Sequence, residues 1–246
     1  MIGLRVYGAG AVALGLVGLW FGDFPSVWHP VPPGVPLRQM LAYVSAACLL
    51  AGGAGVQFER SRKAALWLLG ALYLVFSLLG VPRVVGHPQT FGTWGGMLEQ
   101  FALVAAAMVA LGLPLGRMLF GICVLSFGGD HFFALKETAA MVPKWIPPGQ
   151  WFWAITTGIA HLLAGAAILT ELWDVWASRL LVAMLVGFGL LLWIPSLFAA
   201  LQQHFVWAAN AVHLALTGAA WLVADAIAAR RHLAQAVPVR KPAFAN

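Results

Sequence analysis

Charged residues are scarce in this chain. Lys, Arg, Asp and Glu make up 9% of its 246 residues, whereas soluble domains carry about a quarter, so charge cannot coat a water-exposed surface. Cysteine is nearly absent. Cys48 and Cys123 both sit in apolar runs and neither belongs to a C-x-x-C spacing, which argues against a disulfide framework, a thiolate metal site or an iron–sulfur cluster. No phosphate-binding loop is present, because Gly128-Gly129 precedes Asp130 without the Lys-Ser/Thr that holds a nucleotide. The N-terminal apolar run is not followed by a small-x-small cleavage site, so a retained helix is expected there rather than a signal peptide. Nor does the net charge of +6 point to nucleic acid, since most basic residues are scattered at the ends of apolar runs.

Apolar side chains are what the chain has in excess, at 62%. They recur in runs of about 18 to 22 residues, the length that crosses a bilayer as helix. The expected fold is an all-α integral membrane protein with eight transmembrane helices, near 4–22, 36–56, 63–82, 94–113, 115–132, 150–170, 177–196 and 206–228. Trp20, Trp28, Trp94, Trp145, Trp151, Trp153, Trp193 and Trp207 fall near one set of span ends, and Trp67, Trp173 and Trp176 near the other, as aromatic belts at headgroups would.

The chain also repeats itself. Residues 47–106 align without a gap on 160–219 with 17 identities, about three times what an Ala- and Leu-rich composition supplies. Gly52/Gly165, Pro82/Pro195, Gln89/Gln202 and Trp94/Trp207 hold one register, 113 residues apart. The first span aligns with the fifth at an offset of 106, through Gly15/Gly121, Leu19/Leu125, Phe21/Phe127 and Gly22/Gly128. The expected organisation is therefore a four-helix repeat over 1–114, a second over 115–229, and a loosely attached tail over 230–246.

Orientation follows from Lys and Arg. With the N-terminus cytoplasmic, Arg5, Arg60, Arg62, Lys63, Arg117, Arg179, Arg230, Arg231, Arg240 and Lys241 lie inside, and Arg38, Arg83, Lys136 and Lys144 outside. That bias places both termini in the cytoplasm. An even number of spans per half then gives a parallel repeat, not the inverted repeat of many transporters.

Candidate functional residues fall in two groups. Asp23, His29, His87, Asp130, His131, Gln202, Gln203 and His204 gather at the outer surface, where His can bind a ligand or carry protons, although water-facing connections hold polar residues for solvation alone. Within the spans lie His161, His213 and Glu99, which are costly in hydrocarbon unless they face the bundle interior. They are the catalytic candidates; His131, Asp130, His204, Cys48 and Gln202 are the ligand-binding ones. A core histidine bonded to a hydroxyl such as Thr157 remains the plain alternative for His161, and a carboxylate reaching headgroups the plain alternative for Glu99. Under the repeat Cys48 corresponds to His161 and Gln100 to His213, so the polar groups are not duplicated and the second half is expected to carry the more elaborated site. A haem clamped between His161 and His213 is disfavoured by their difference in depth, about 7 to 8 Å. No metal site is expected.

Gly129-Asp130-His131-Phe132, Val142-Pro143-Lys144-Trp145-Ile146-Pro147, Gly158 through Gly165, and Trp193-Ile194-Pro195 together resemble the DoxX-like family of four-helix membrane proteins. The likeness covers about 115–228 and reaches the first half through the repeat. Members are linked to membrane oxidoreductase complexes, including quinone reduction with thiosulfate as donor. In the family the position of His161 is usually Glu, within Gly-x-x-Glu-Leu-x-x-Gly. The resemblance implies a bacterial inner-membrane protein that binds a quinone and works with redox partner proteins. The residues themselves leave three functions open: a quinone-interacting redox subunit, a non-enzymatic carrier of a small solute or lipid, and an anchor for partner proteins.

Overall fold

The computed structural model describes residues 1–90 and 92–236 and, among these, is built from helices with no strand. Ten α-helices follow in order: α1 (Ile2–Phe21), α2 (Arg38–Gly55), α3 (Glu59–Gly86), α4 (Gly92–Ala110), α5 (Gly116–Phe133), α6 (Leu135–Met141), α7 (Gln150–Thr170), α8 (Asp174–Phe188), α9 (Ile194–Ala199) and α10 (His204–Ala236), with a π-helical turn (Gly189–Trp193) between α8 and α9. Among the described residues, six spans are long and apolar enough to cross a membrane: α1, α3, α4, α7, α8 through α9, and α10. The pair α5 and α6, bent by 94°, makes a seventh if taken as one span. Eight were expected. The shortfall is α2, together with α5 unless its bent pair is one span; α2 carries Arg38 and Gln39 in its first turn and four Gly and Ala in its last, which lower its apolar content. The expected cytoplasmic tail also begins later, because α10 continues through Arg230 to Ala236; residues 237–246 lie outside the described residues.

The helices form a closed ring of neighbours. α1 packs on α2 and α10, α2 on α3, α3 on α4, α4 on α5, α5 on α7, α7 on α8, and α8 on α10, while α4 and α10 also touch each other. The closest approaches recur along the sequence. A Cβ at Gly3 would lie 2.3 Å from the Leu222 nitrogen, and one at Gly116 would lie 2.7 Å from the Val109 nitrogen. Gly8 and Gly53 crowd α1 against α2 as Gly121 and Gly165 crowd α5 against α7. These contacts pair α1 with α5 at a separation of 113, two helical turns from the 106 that sequence identity favours. They also pair α2 with α7 at 112, as does burial: Ala42, Ala46, Leu49, Gly52 and Gly53 are the buried positions of α2, and Ala154, Gly158, His161, Ala164 and Gly165 lie 112 further on. At that spacing Leu49 and His161 are both buried, whereas Cys48 is partly exposed.

The ring differs at one corner. Between α1 and α2 the connection folds inward, burying Phe24, Trp28 and His29. His29 stacks on Phe76 at 3.6 Å between ring centroids, and Trp28 stacks on Phe205 at 5.5 Å. The connection from α5 to α7 contains α6 and does not fill the interior in this way. At the opposite end of the bundle, Glu171 accepts from Arg117 (2.7 Å) and Arg230 (2.5 Å), Asp174 pairs with Arg231 (3.2 Å), and Asp225 with Arg179 (2.7 Å).

Candidate functional site

An interior cavity of about 360 Å³ occupies the unfilled corner. Its walls come from α4, α5, α7, α8, the π-turn and α10, and Thr138, Met141, Val142, Pro143 and Ile146 close it from the α5–α7 connection. Glu99, His161 and His213, the three intramembrane candidates, all line it, joined by Asp130 and His131. Helix geometry explains the convergence. His131 lies two residues before the end of α5 and His161 near the middle of α7, yet α5 and α7 cross so tightly at Gly128 and Gly165 that the two imidazoles face each other, 4.9 Å between centroids.

Hydrogen bonding sets the form of each ring. His161 Nδ1 lies 2.9 Å from the Thr157 carbonyl and His131 Nδ1 lies 2.8 Å from the Phe127 carbonyl. A carbonyl oxygen only accepts, so each Nδ1 carries the proton and, in a neutral ring, Nε2 is left as the acceptor. Thr157 therefore holds His161 through its backbone and not through its hydroxyl, which bonds the Trp153 carbonyl at 2.7 Å. His213 is set the other way round: Nε2 donates to the Leu185 carbonyl at 2.8 Å, just before the π-turn. Phe188 lies against both rings, 6.2 Å from His161 and 6.5 Å from His213 between centroids.

The carboxyls sit on the side of the α1–α2 connection. Trp28 Nε1 donates to Glu99 Oε2, so this acid is anchored within the protein and its headgroup reading falls away. Asp130 has a buried Oδ1 with no partner, and Gly95, one turn before Glu99, leaves space beside its Oδ2. Among the described residues no group of three or more His, Cys, Asp or Glu could hold a metal ion.

Other candidates lie elsewhere. His204 stacks on Phe21 at 4.4 Å, away from the cavity. Gln202 lines a separate groove on the flank of α1 and α10. Cys48 is partly exposed on α2 and lines neither space. His29 is sealed against Phe76, and burial pushes its pKa down to about 3, helped by the nearby His204. The aromatic side chains of Phe127, Phe188, Trp153 and Trp193 were not legible as site residues, because an aromatic ring in a membrane helix is indistinguishable from core. Asp130-His131, followed by a proline-flanked connection, was the available signal for the cavity's closure.

No curated protein and no solved structure matches the chain. The DoxX family model matches residues 112–193, from the α4–α5 connection to the end of the π-turn, a stretch that holds most of the cavity's walls. Residues 112–193 are thus similar to the DoxX family, within a chain whose apolar helices are long enough to cross a membrane.

Proposed function

We propose that this protein is the quinone-interacting subunit of a membrane oxidoreductase system in the bacterial inner membrane. One observation carries the reading: His161, His213, Glu99, Asp130 and His131, from four different helices, meet in a single cavity whose remaining walls are aromatic and aliphatic. A pocket of this size, mostly apolar with a few converging polar groups, suits a small planar ring with oxygen at its edges. The ring faces find Phe127, Phe188 and Trp193; the oxygens find imidazole nitrogens and carboxyls.

The protonation states suit both ends of the reaction. Neutral His161 and His131 offer Nε2 as acceptors for the hydroxyls of a quinol, and the same nitrogens, once protonated, donate to the carbonyl oxygens of a quinone. Reduction of a quinone to a quinol consumes two electrons and two protons. The protons come from these side chains and are replaced through Asp130 and the α5–α7 connection; the electrons come from a redox partner protein or a diffusible donor.

The same proposal takes the chain as two four-helix units inserted in parallel, with both termini cytoplasmic. Supporting it, the neighbour list maps onto itself when α1, α2, α3 and α4 exchange with α5, α7, α8 and α10, and Trp94 and Trp207 bond the carbonyls of Pro88 and Leu201, each six residues earlier, at 3.3 and 2.8 Å. In this pairing Phe76, which stacks on His29, stands opposite Gly189, so one unit is plugged where the other is open. The test is a lipid extract and absorption spectrum of the detergent-purified protein. Co-purified quinone near one equivalent supports the reading; a quinone-free sample that also fails to bind added quinone ends it, in favour of a carrier or an anchor.

A further inference from the structure

A second, larger space of about 1080 Å³ lies beside the cavity, floored by α10 and flanked by α1 on one side and α8, the π-turn and α9 on the other. α1 and α8 each pack on α10 and not extensively on each other, so the groove opens sideways. Its rims are the exposed Leu16, Leu19 and Trp20 of α1 and Leu190 and Ile194 across from them, which in a bilayer meet acyl chains. Leu185, Trp193 and His213 line both this groove and the interior cavity. His213, 9% exposed, is thus part of the wall between a space facing lipid and a space facing the polar cluster. That wall contains a π-turn, an irregularity frequent at functional sites, and at Gly189 no side chain stands between the backbone and the His213 ring, 3.6 Å from where a Cβ would be.

We infer that the groove holds the long apolar tail of the same ligand whose ring occupies the cavity, and that the ring enters from the bilayer between Trp193 and His213. The inference rests on the quinone reading and adds to it the ligand's class: a quinone bearing a long hydrocarbon chain, membrane-dissolved, as opposed to a water-soluble quinone arriving through the α5–α7 connection. Three features fit the tail. The groove is three times the cavity's volume. Its few polar groups, among them Asn210 and Thr217 with His213, are largely engaged within the protein, Asn210 with Ser196 and the Val206 carbonyl and Thr217 with the His213 carbonyl. And it shares its inner wall with the cavity, so ring and tail lie on either side of one boundary.

The experiment uses the full chain in lipid nanodiscs and two probes, a tail-less methoxy-substituted benzoquinone and the same ring carrying a decyl chain. Leu214→Trp and Leu16→Trp narrow the groove from α10 and α1; both positions are exposed and neither lines the cavity. Titrations followed by thermal shift are expected to show each variant binding the decyl quinone about tenfold more weakly, the equivalent of roughly two methylenes withdrawn from contact, with the tail-less quinone unchanged. Decyl and tail-less probes that bind the variants as they bind the parent protein would overturn the tail site and leave the ring site standing. Equal weakening of both probes in both variants would also overturn it, since the groove would then act on the ring. Failure of both probes to bind the parent protein would sink the quinone reading and the tail site with it.

Discussion

Glu99, His161 and His213 are polar side chains of the kind that hydrocarbon excludes, and each is held inside the bundle by a hydrogen bond. Trp28 reaches from the α1–α2 connection to Glu99, and leaving a buried acceptor of this kind without its donor costs about 1 to 3 kcal/mol. Trp28→Phe, which removes the donor and keeps an aromatic ring, is expected to destabilise the protein by about that amount in thermal unfolding; Glu99→Gln, which keeps an acceptor oxygen, is expected to cost less. Equal losses would show that the bond itself contributes little. Glu99, His161 and His213 stand out in the sequence because ionisable groups at membrane depth are rare. The sequence could not show that they meet, since nothing in the spacing of residues 99, 161 and 213 encodes which helices are neighbours. Nor could it separate Cys48 from Leu49 as the counterpart of His161: the identities at 113 are mostly Ala and Leu, and a one-residue slip leaves most of them plausible.

Among helices, small residues set how closely the backbones approach. Gly10 and Gly218 bring α1 against α10, with a Cβ at either 2.3 Å or less from a backbone nitrogen on the other helix, so any side chain there must push the helices apart. Gly10→Leu and Gly218→Leu are each expected to lower stability by about 1 to 3 kcal/mol, the usual cost of overpacking, whereas Gly187→Ala, with open space around it, is expected to be neutral or slightly stabilising. Thermal unfolding of the three variants in one detergent decides this; a destabilised Gly187→Ala beside an unaffected Gly10→Leu would contradict the packing. Helix positions were legible from apolar run length, and the structure places helices at all eight. What run length missed were α6 and the π-turn. Both are tertiary outcomes: the first bends at Ala134 to close the cavity, and the second adds a residue to the turn beside His213.

For the whole molecule, charge at one end and a sealed histidine at the other predict its response to acid. Hydrogen bonding from Arg230, with Arg117 and Arg231 nearby, holds the Glu171 carboxyl below its ordinary range. A depressed carboxylate contributes stability that is fully present above the unfolded-state value, near 4.5, and is lost as pH falls through the folded-state value. Glu171→Gln is therefore expected to lose that contribution at neutral pH and to flatten the acid limb of the stability profile, the two proteins converging in acid. His29 works at higher pH: the unfolded chain takes up its proton near 6.5 and the folded one only near 3, so stability falls progressively as pH drops below 6.5. His29→Phe, which keeps the stack on Phe76, is expected to remove that part of the slope in pH-dependent unfolding.

The central claim is that His161 faces a ligand inside the bundle and is not a core histidine serving the fold alone. Its most direct test is the thermal unfolding of the parent protein, His161→Leu and Cys48→Leu with a short-chain quinone titrated in. A ligand at one hundred times its Kd stabilises by about 2.7 kcal/mol, so the account predicts a rise in Tm of several degrees for the parent protein and for Cys48→Leu, and none for a folded His161→Leu. An undiminished rise in His161→Leu, or no rise in the parent protein at saturating quinone, would contradict it.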